Sequence, residues 1–212
     1  MKKVVAFLLC VALCVCLAGC RSHNTEAKNE EAKEALTKVL EREETFAFKS
    51  PINGRITEER LDKLHFTVET SAFVRFLPWA YTFVDCDFDG FEEIALLDAQ
   101  LEGLLILRYE EGKVYGYHID RSVCGPSVKT DGSVRVGPID DKKELYTLTF
   151  DGYSFEMIPL AHKDDATGTY QLNGKDTSKE AAEAYIAEWE KNTTAVTWVD
   201  MAEVWEDMVY KQ

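Results

Sequence analysis

The stretch that decides the fold is GLLILRYEEGKVYGYHI, residues 103–119. Its runs at 103–109 and 113–119 are each long enough for a β-strand, and they flank the segment Glu110-Glu111-Gly112. Gly112 supplies the positive φ that a tight turn between two strands requires. We therefore expect a β-hairpin here.

Strand patterns continue on both sides of this hairpin. On its N-terminal side, EIALL at 93–97 predicts a strand, and a strand-like segment that follows Pro78 precedes it. On its C-terminal side, turns are predicted by the Asp-Gly pairs at 131–132 and 151–152 and by the Asn-Gly pair at 173–174. The second Asp-Gly pair joins strand patterns at 145–150 and 153–158. The succession predicts a mostly antiparallel meander sheet, with one buried face and one solvated face.

Helical patterns lie toward both ends of the chain. A helix is predicted from about Asn29 to a point before Phe46, because apolar residues recur there at helical spacing. Thr57 is expected to cap a short helix through about Leu64. A capping-box spacing at 177–180 opens a helix over 179–191, and a further helix is predicted over 196–209. The fold class is therefore α+β: a single domain over 31–212 with an antiparallel meander sheet packed by N- and C-terminal helices.

The composition limits the classes of partner. The chain has 212 residues, of which 46% are hydrophobic, enough for a substantial core. Its 24 basic and 38 acidic residues give a net charge of −14. This balance argues against a nucleic-acid partner, because affinity for phosphates comes from Lys and Arg.

The first 20 residues predict export from the cytoplasm. Lys2 and Lys3 precede the uncharged apolar run 4–17, which is short for a membrane-spanning helix and suits a secretion signal. The run ends in Leu17-Ala18-Gly19-Cys20, which resembles the lipobox of bacterial lipoproteins. The resemblance implies a signal peptide at 1–19, a diacylglycerol thioether on Cys20 and a polar tether over 20–30. An ordinary signal cleaved near Ala18-Gly19 is the alternative.

The lipobox implies a location at the cell membrane or cell envelope, facing away from the cytoplasm. Lipid on Cys20 would be the anchor, since two or more acyl chains hold a protein stably to a bilayer. Removal of Lys2 and Lys3 with the signal leaves 22 basic residues against 38 acidic ones, a net charge of −16.

Two cysteines remain beyond the signal and the acylated residue. Cys86 and Cys124 could form a disulfide, which an extracytoplasmic location permits. Two separate, partly buried thiols are the alternative. Neither residue belongs to a CxxC motif, so the sequence supports neither a redox motif nor a zinc knuckle.

The chemistry of the chain is concentrated at 85–93, which reads DCDFDGFEE. Carboxylates stand at positions 1, 3, 5, 8 and 9 of this stretch and Gly90 stands at position 6. Hard oxygen ligands at this density suit Ca²⁺, which accepts six to eight of them. The expected ligands are Asp85, Asp87, Asp89, the Phe91 carbonyl and Glu93.

The same stretch resembles the strand–loop–strand calcium loops of pattern D-x-D-x-D-G-x-x-[DE]. The match covers nine residues and departs from the EF-hand, because Leu96 stands where that motif has its bidentate Glu. The resemblance implies a structural Ca²⁺ ion that fixes two strands and their turn. An acidic, solvated turn without metal is the alternative.

The larger layout is similar to that of lipoproteins of anaerobic Gram-positive gut bacteria, over about residues 79–160. The resemblance lies in the acidic loop, in the hairpin at 106–117 and in the Lys-x-Asp-Gly turn at 129–132. It implies no activity. The four histidines are scattered, and no catalytic motif is present in the sequence, so we do not expect an enzyme.

We expect a lipid-anchored binding or interaction module whose protein or envelope partner is unspecified. The alternative is an acidic inhibitor of a cationic enzyme such as lysozyme, which a strongly negative body would attract over a long range.

Overall fold

The computed structural model describes residues 26–50, 53–67, 73–98, 103–119, 127–136 and 142–205. Helix α1 covers residues 26–40 and helix α2 covers Lys179–Asn192. Short 3-10 turns lie at Leu61–Lys63 and Met201–Glu203. In chain order the strands are β1 (Phe46–Lys49), β2 (Ile56–Glu59), β3 (His65–Thr67), β4 (Phe73–Arg75), β5 (Pro78–Val84), β6 (Glu93–Asp98), β7 (Leu104–Glu110), β8 (Lys113–Ile119), β9 (Ser127–Val128), β10 (Val134–Val136), β11 (Lys142–Asp151), β12 (Ser154–Asp164), β13 (Thr169–Leu172), β14 (Lys175–Asp176) and β15 (Val199–Asp200).

The strands form two large sheets and one small one. The first has seven strands in the order β15-β5-β6-β7-β8-β1-β2, and the second has six in the order β14-β13-β12-β11-β10-β9. The small sheet pairs β3 with β4. All paired neighbours are antiparallel except β1 and β8, which run parallel. The expected antiparallel character is confirmed, together with the β7–β8 and β11–β12 hairpins.

The expectation of one meander sheet is wrong, because the strands form two large sheets, and β6 and β7 lack the expected solvated face. Strands β6 and β7 are apolar on both faces, so the seven-stranded sheet needs a cover on each. Leu96 and Leu107 on one face share a hydrophobic cluster with Leu36 and Leu40 of α1. On the other face, side chains of β6 and β7 share a cluster with Leu148 of the six-stranded sheet.

Helix α2 is associated with the second sheet. Its residues Ile186 and Trp189 form a cluster with Leu145 of β11 and Ala161 of β12. The helix begins after the N-cap Ser178, whose side chain accepts a hydrogen bond from the backbone of Ala181. Helix α2 thus starts and ends close to the predicted limits.

Two predicted helices are not found. Residues expected to follow a Thr57 cap instead form β2, which pairs with β1, and then the 3-10 turn at Leu61–Lys63. In the described part of 196–209, β15 pairs with the edge of β5, and Asp200 Oδ1 accepts from Ala202 N at 2.8 Å to begin a 3-10 turn. In both segments a strand pairing replaces the local helical preference, with the preceding strand β1 in the first segment and with the distant β5 in the second.

The C-terminal tryptophan at 205 belongs to the core. Trp205 is buried in the cluster that contains Leu40, and its indole N–H donates to the Leu40 carbonyl at 2.7 Å. Packing in the core therefore explains the position of this residue. Among the described residues, no helix is long and apolar enough to cross a membrane.

Candidate metal centre

The acidic loop 85–92 connects β5 to β6 at one end of the seven-stranded sheet. Val84 and Glu93 are paired across the two strands, so the loop begins and ends at neighbouring positions. The strand–loop–strand arrangement expected from the sequence is confirmed. It brings together one carboxylate oxygen each from Asp85, Asp87 and Asp89, all within 4.8 Å of one another. This group, which we call the aspartate cluster, could hold a metal ion.

Backbone N–H groups of the loop hold each aspartate of the cluster through one oxygen. Gly90 N donates to Asp85 Oδ2 at 3.0 Å, Asp89 N to Asp87 Oδ1 at 3.2 Å, and Phe91 N to Asp89 Oδ1 at 2.8 Å. Gly90 has a φ of +90°, as the sharp turn predicted at this position requires. The loop backbone therefore orients the three carboxylates and leaves one oxygen of each for another partner.

The Arg108 guanidinium, on β7, supplies a positive charge to the cluster. Its Nη2 lies 2.8 Å from Asp89 Oδ2 and 3.3 Å from Asp87 Oδ2. Its Nε lies 3.6 Å from Glu93 Oε1, and its Nη1 lies 3.3 Å from Glu110 Oε2. Burial lowers the pKa of Arg108, but hydrogen bonding to Asp89 and the nearby carboxylates outweigh burial and raise the pKa overall. Arg108 therefore stays charged and neutralises part of the cluster.

Arg108 forms ion pairs with Asp87 and Asp89 of the cluster, and not with Asp85. Asp85 Oδ1 is buried and has no hydrogen-bond partner among the described residues. A buried carboxylate oxygen without a partner is unfavourable, because its lost hydration is not replaced. A cation bound between the three aspartates would satisfy this oxygen.

Glu93 is separate from the aspartate cluster. Its carboxylate is 1% exposed, and its Oε2 accepts a hydrogen bond from Cys86 N at 2.7 Å. Burial raises the pKa of Glu93 to about 8, and the negative charges of Asp87 and Asp89 act in the same direction. Burial and then the charges of Asp89 and Asp85, partly opposed by Arg108, also raise the pKa of Asp87. Burial and mutual repulsion thus make the ionised forms of these carboxyl groups less favourable.

The second sheet contacts the backbone at the start of the loop. Cys86 O accepts from Leu148 N at 3.3 Å and from Thr147 Oγ1 at 3.4 Å. The turn between β9 and β10 packs equally closely, because a Cβ at Gly132 would lie 1.8 Å from Asp85 O. Arg108 also stacks over the Phe150 ring, 5.2 Å from its centroid. The aspartate cluster therefore lies at the junction of the two large sheets.

The expected ligand set is brought together in part. Asp85, Asp87 and Asp89 converge, whereas Glu93 faces Cys86 and Arg108. Phe91 contributes its backbone N–H, which donates a hydrogen bond to Asp89. Cys86 is fully buried, and burial raises the pKa of its thiol well above the usual value. Cys20 and Cys124 lie outside the described residues, so acylation and a Cys86–Cys124 disulfide stay predictions.

Sequence reasoning missed Arg108. Its contact depends on the register of β6 against β7, which local sequence patterns leave open. Ile94 pairs with Leu107, which places Glu93 opposite Arg108 across β6 and β7. Arg108 therefore reduces the like-charge repulsion among these carboxylates.

No histidine of the described residues joins the aspartate cluster. His162 Nδ1 lies 2.8 Å from Glu144 Oε1 on the second sheet. Within the described ranges, the aspartate cluster is the one group of three or more His, Cys, Asp or Glu residues arranged to hold a metal ion. Comparison of the chain with protein families, curated proteins and solved structures found no match. The functional argument therefore rests on the residues themselves.

Proposed function

We propose that the chain is a lipid-anchored extracytoplasmic protein in which a structural Ca²⁺ ion, held by the aspartate cluster, stabilises a binding or interaction module. The single observation that carries the metal assignment is the convergence of Asp85, Asp87 and Asp89 within 4.8 Å. The buried, unpartnered Oδ1 of Asp85 supports it independently.

The chemistry of the donors favours calcium over softer metals. All the side-chain donors are carboxylate oxygens, which suit hard cations, and no described His or Cys side chain belongs to the cluster. A loop N–H donates to one oxygen of each aspartate. Binding of the ion would therefore not require a change in the backbone conformation of the loop. Coordination by further oxygens, from Phe91 or from water, would complete the six to eight ligands that Ca²⁺ accepts.

Arg108 sets the expected strength of binding. Its Nη2 occupies the free oxygens of Asp87 and Asp89, so an incoming ion must share or displace these contacts. A fixed positive charge this close weakens the attraction of a second cation. We therefore place the affinity in the weak range of extracellular modules, with a Kd of about 10⁻⁴–10⁻³ M.

The role of the ion is structural in this proposal. The loop joins β5 to β6 and hydrogen-bonds to β11, so an ion there would fix the junction between the two sheets. Helices α1 and α2 would cover the outer faces of this pair of sheets. The exposed surface of the body would remain free for a partner.

The anchor in this proposal is lipid on Cys20. Support comes from the lipobox alone, because Cys20 lies outside the described residues. The test is labelled fatty acid supplied to cells that express the chain or its Cys20→Ala variant. Incorporation into the first and not into the second is expected, and equal incorporation would refute the anchor.

Equilibrium dialysis against ⁴⁵Ca²⁺ tests the metal. We expect one ion per chain at millimolar calcium, and loss of binding in Asp85→Asn. The matched control is Glu92→Gln, which removes one charge from the same loop at an exposed residue outside the cluster. Binding that falls equally in both variants would indicate diffuse charge attraction and contradict a built site.

A further inference from the structure

The first described turn of α1 lies against the tip of the acidic loop. Asn29 Nδ2 donates to Gly90 O at 3.4 Å. Lys28 lines a surface cavity of about 440 Å³ together with Asp89 and Phe91. Further along the helix, Lys33 Nζ lies 5.5 Å from the centroid of the Phe83 ring on β5. The N-terminal end of α1 and the acidic loop therefore form one end of the body.

The proposed anchor is close to this end along the chain. Six peptide units separate Cys20 from residue 26, and they span at most about 20 Å when fully extended. The helical rise from residue 26 to Asn29 adds about 5 Å. The loop tip thus lies within about 30 Å of the acylated sulfur, whatever path the intervening residues take.

One large apolar side chain projects from the same end. Phe88, between Asp87 and Asp89, is 54% exposed, the largest exposure among the large hydrophobic residues of the described chain. Trp79 offers a contrast, because it is 44% exposed but lies near the opposite end of β5. The five residue-to-residue steps from Trp79 to Val84 separate these two positions by about 17 Å.

Charge at this end is mixed and not uniformly negative. Arg108 is paired with the cluster, and Lys28 lines the cavity beside it together with the acidic residues Glu31, Glu110 and Glu111. Lys33 lies farther along α1, beside the Phe83 ring. A divalent ion in the aspartate cluster would reduce the remaining negative charge. Arg108, Lys28 and such an ion together reduce the repulsion that phosphate headgroups exert on the carboxylates at this end.

From these four observations we propose that the acidic loop and the start of α1 form the membrane-facing end of the body, with the Phe88 ring in the headgroup layer of the bilayer. An exposed aromatic ring suits this layer. The proposal rests on the proposed acylation of Cys20 and adds the surface that meets the membrane. The Trp79 end of the sheet is then directed away from the bilayer.

Photocrosslinking to lipid tests this orientation. The full chain is expressed with p-benzoylphenylalanine in place of Phe88 or, as the matched control, in place of Trp79. Both positions are exposed and aromatic, so neither replacement disturbs a buried contact. Each acylated protein is reconstituted into vesicles of phosphatidylcholine that contain a radiolabelled phospholipid, and the labelled adducts are counted after illumination.

We expect at least threefold more lipid adduct at position 88 than at position 79. Equal yields, or a larger yield at position 79, would overturn the orientation even if fatty-acid labelling shows Cys20 to be acylated. Absence of acylation is a different result, because it would remove the anchor and the orientation together. The two failures are thus distinguished by the fatty-acid measurement on the same protein.

Discussion

Arg108 Nη2 lies 2.8 Å from Asp89 Oδ2, although the two residues stand 19 positions apart in the chain. The contact crosses from β7 over β6 to the loop, and the same guanidinium reaches Asp87. Arg108 is only 12% exposed, so water screens these pairs weakly. The loop accordingly carries its own counter-cation, against which a metal ion must compete.

Replacement of Arg108 by Gln should raise the affinity for Ca²⁺ and lower the stability of the metal-free protein. Removal of one positive charge beside the aspartate cluster should tighten binding by about tenfold or more. Loss of one partner from largely buried ion pairs should cost about 3 kcal/mol of unfolding free energy in chelator. Calorimetric titration and denaturant melts measure the two effects. Arg108→Lys, which keeps the charge, is the control, and unchanged or weaker binding in Arg108→Gln would contradict the competition.

Glu93 should make stability depend on pH when calcium is chelated. Its pKa is about 8 in the folded protein, above the ordinary value of 4.5. Between these values the folded state keeps a proton that the unfolded state has lost, so the contribution of Glu93 to stability is greatest below pH 4.5 and falls as pH rises to 8. The slope from this one group should approach about 1.4 kcal/mol per pH unit.

The Glu93→Gln variant isolates this contribution. Gln keeps the size of the side chain and an oxygen that accepts from Cys86 N, but it does not titrate. Denaturant melts at several pH values in chelator should show a flatter profile for the variant than for the original chain. Parallel profiles would show that Glu93 is ionised in the folded protein throughout this range.

Gly132→Ala should disrupt the packing of the second sheet against the loop. A Cβ at this position would lie 1.8 Å from Asp85 O, and the backbone φ is +76°. Gly168→Ala is the matched control, because its φ is +70° and nothing lies within 4 Å of its added Cβ. Backbone strain of about 1 kcal/mol is common to both variants. We expect Gly132→Ala to lose at least about 2 kcal/mol more unfolding free energy than Gly168→Ala. Equal losses in denaturant melts would contradict the close approach.

Trp189 should couple energetically to the turn that carries Gly132. Its indole N–H donates to Ser133 Oγ at 2.8 Å and to Asp131 Oδ2 at 3.2 Å. Trp189→Phe keeps most of the apolar contact and removes this donor, at a cost of about 1–3 kcal/mol. A double-mutant cycle with Ser133→Ala should give a coupling energy of about 1 kcal/mol, and strictly additive losses would contradict the contact.

Features that depend on neighbouring residues could be predicted from the sequence. The β7–β8 and β11–β12 hairpins follow from alternating or apolar runs on either side of Gly-containing turns. The loop between β5 and β6 follows from the D-x-D-x-D-G spacing between two strand patterns. Helix α2 follows from its cap and from the periodicity of its apolar residues.

Features that depend on distant pairing could not be predicted. Ala47 of β1 lies beside Tyr115 of β8, and no local pattern specifies this parallel pairing. Gly116 permits the approach, because a Cβ there would lie 2.5 Å from the Phe46 ring. The contact of Arg108 with the aspartate cluster required the register of β6 against β7, which local patterns leave open.

Thermal unfolding with and without calcium tests the central claim most directly. The detergent-solubilised protein is melted in millimolar Ca²⁺ and in chelator, alongside Asp87→Asn and the control Glu92→Gln. Millimolar Ca²⁺ is about one to ten times the proposed Kd, so a bound ion adds about 0.4–1.4 kcal/mol and should raise Tm by about 1–5 °C. We expect this rise in the original chain and in Glu92→Gln, and its loss in Asp87→Asn. Equal melting in Ca²⁺ and in chelator, or an undiminished rise in Asp87→Asn, would contradict a structural calcium ion in the aspartate cluster.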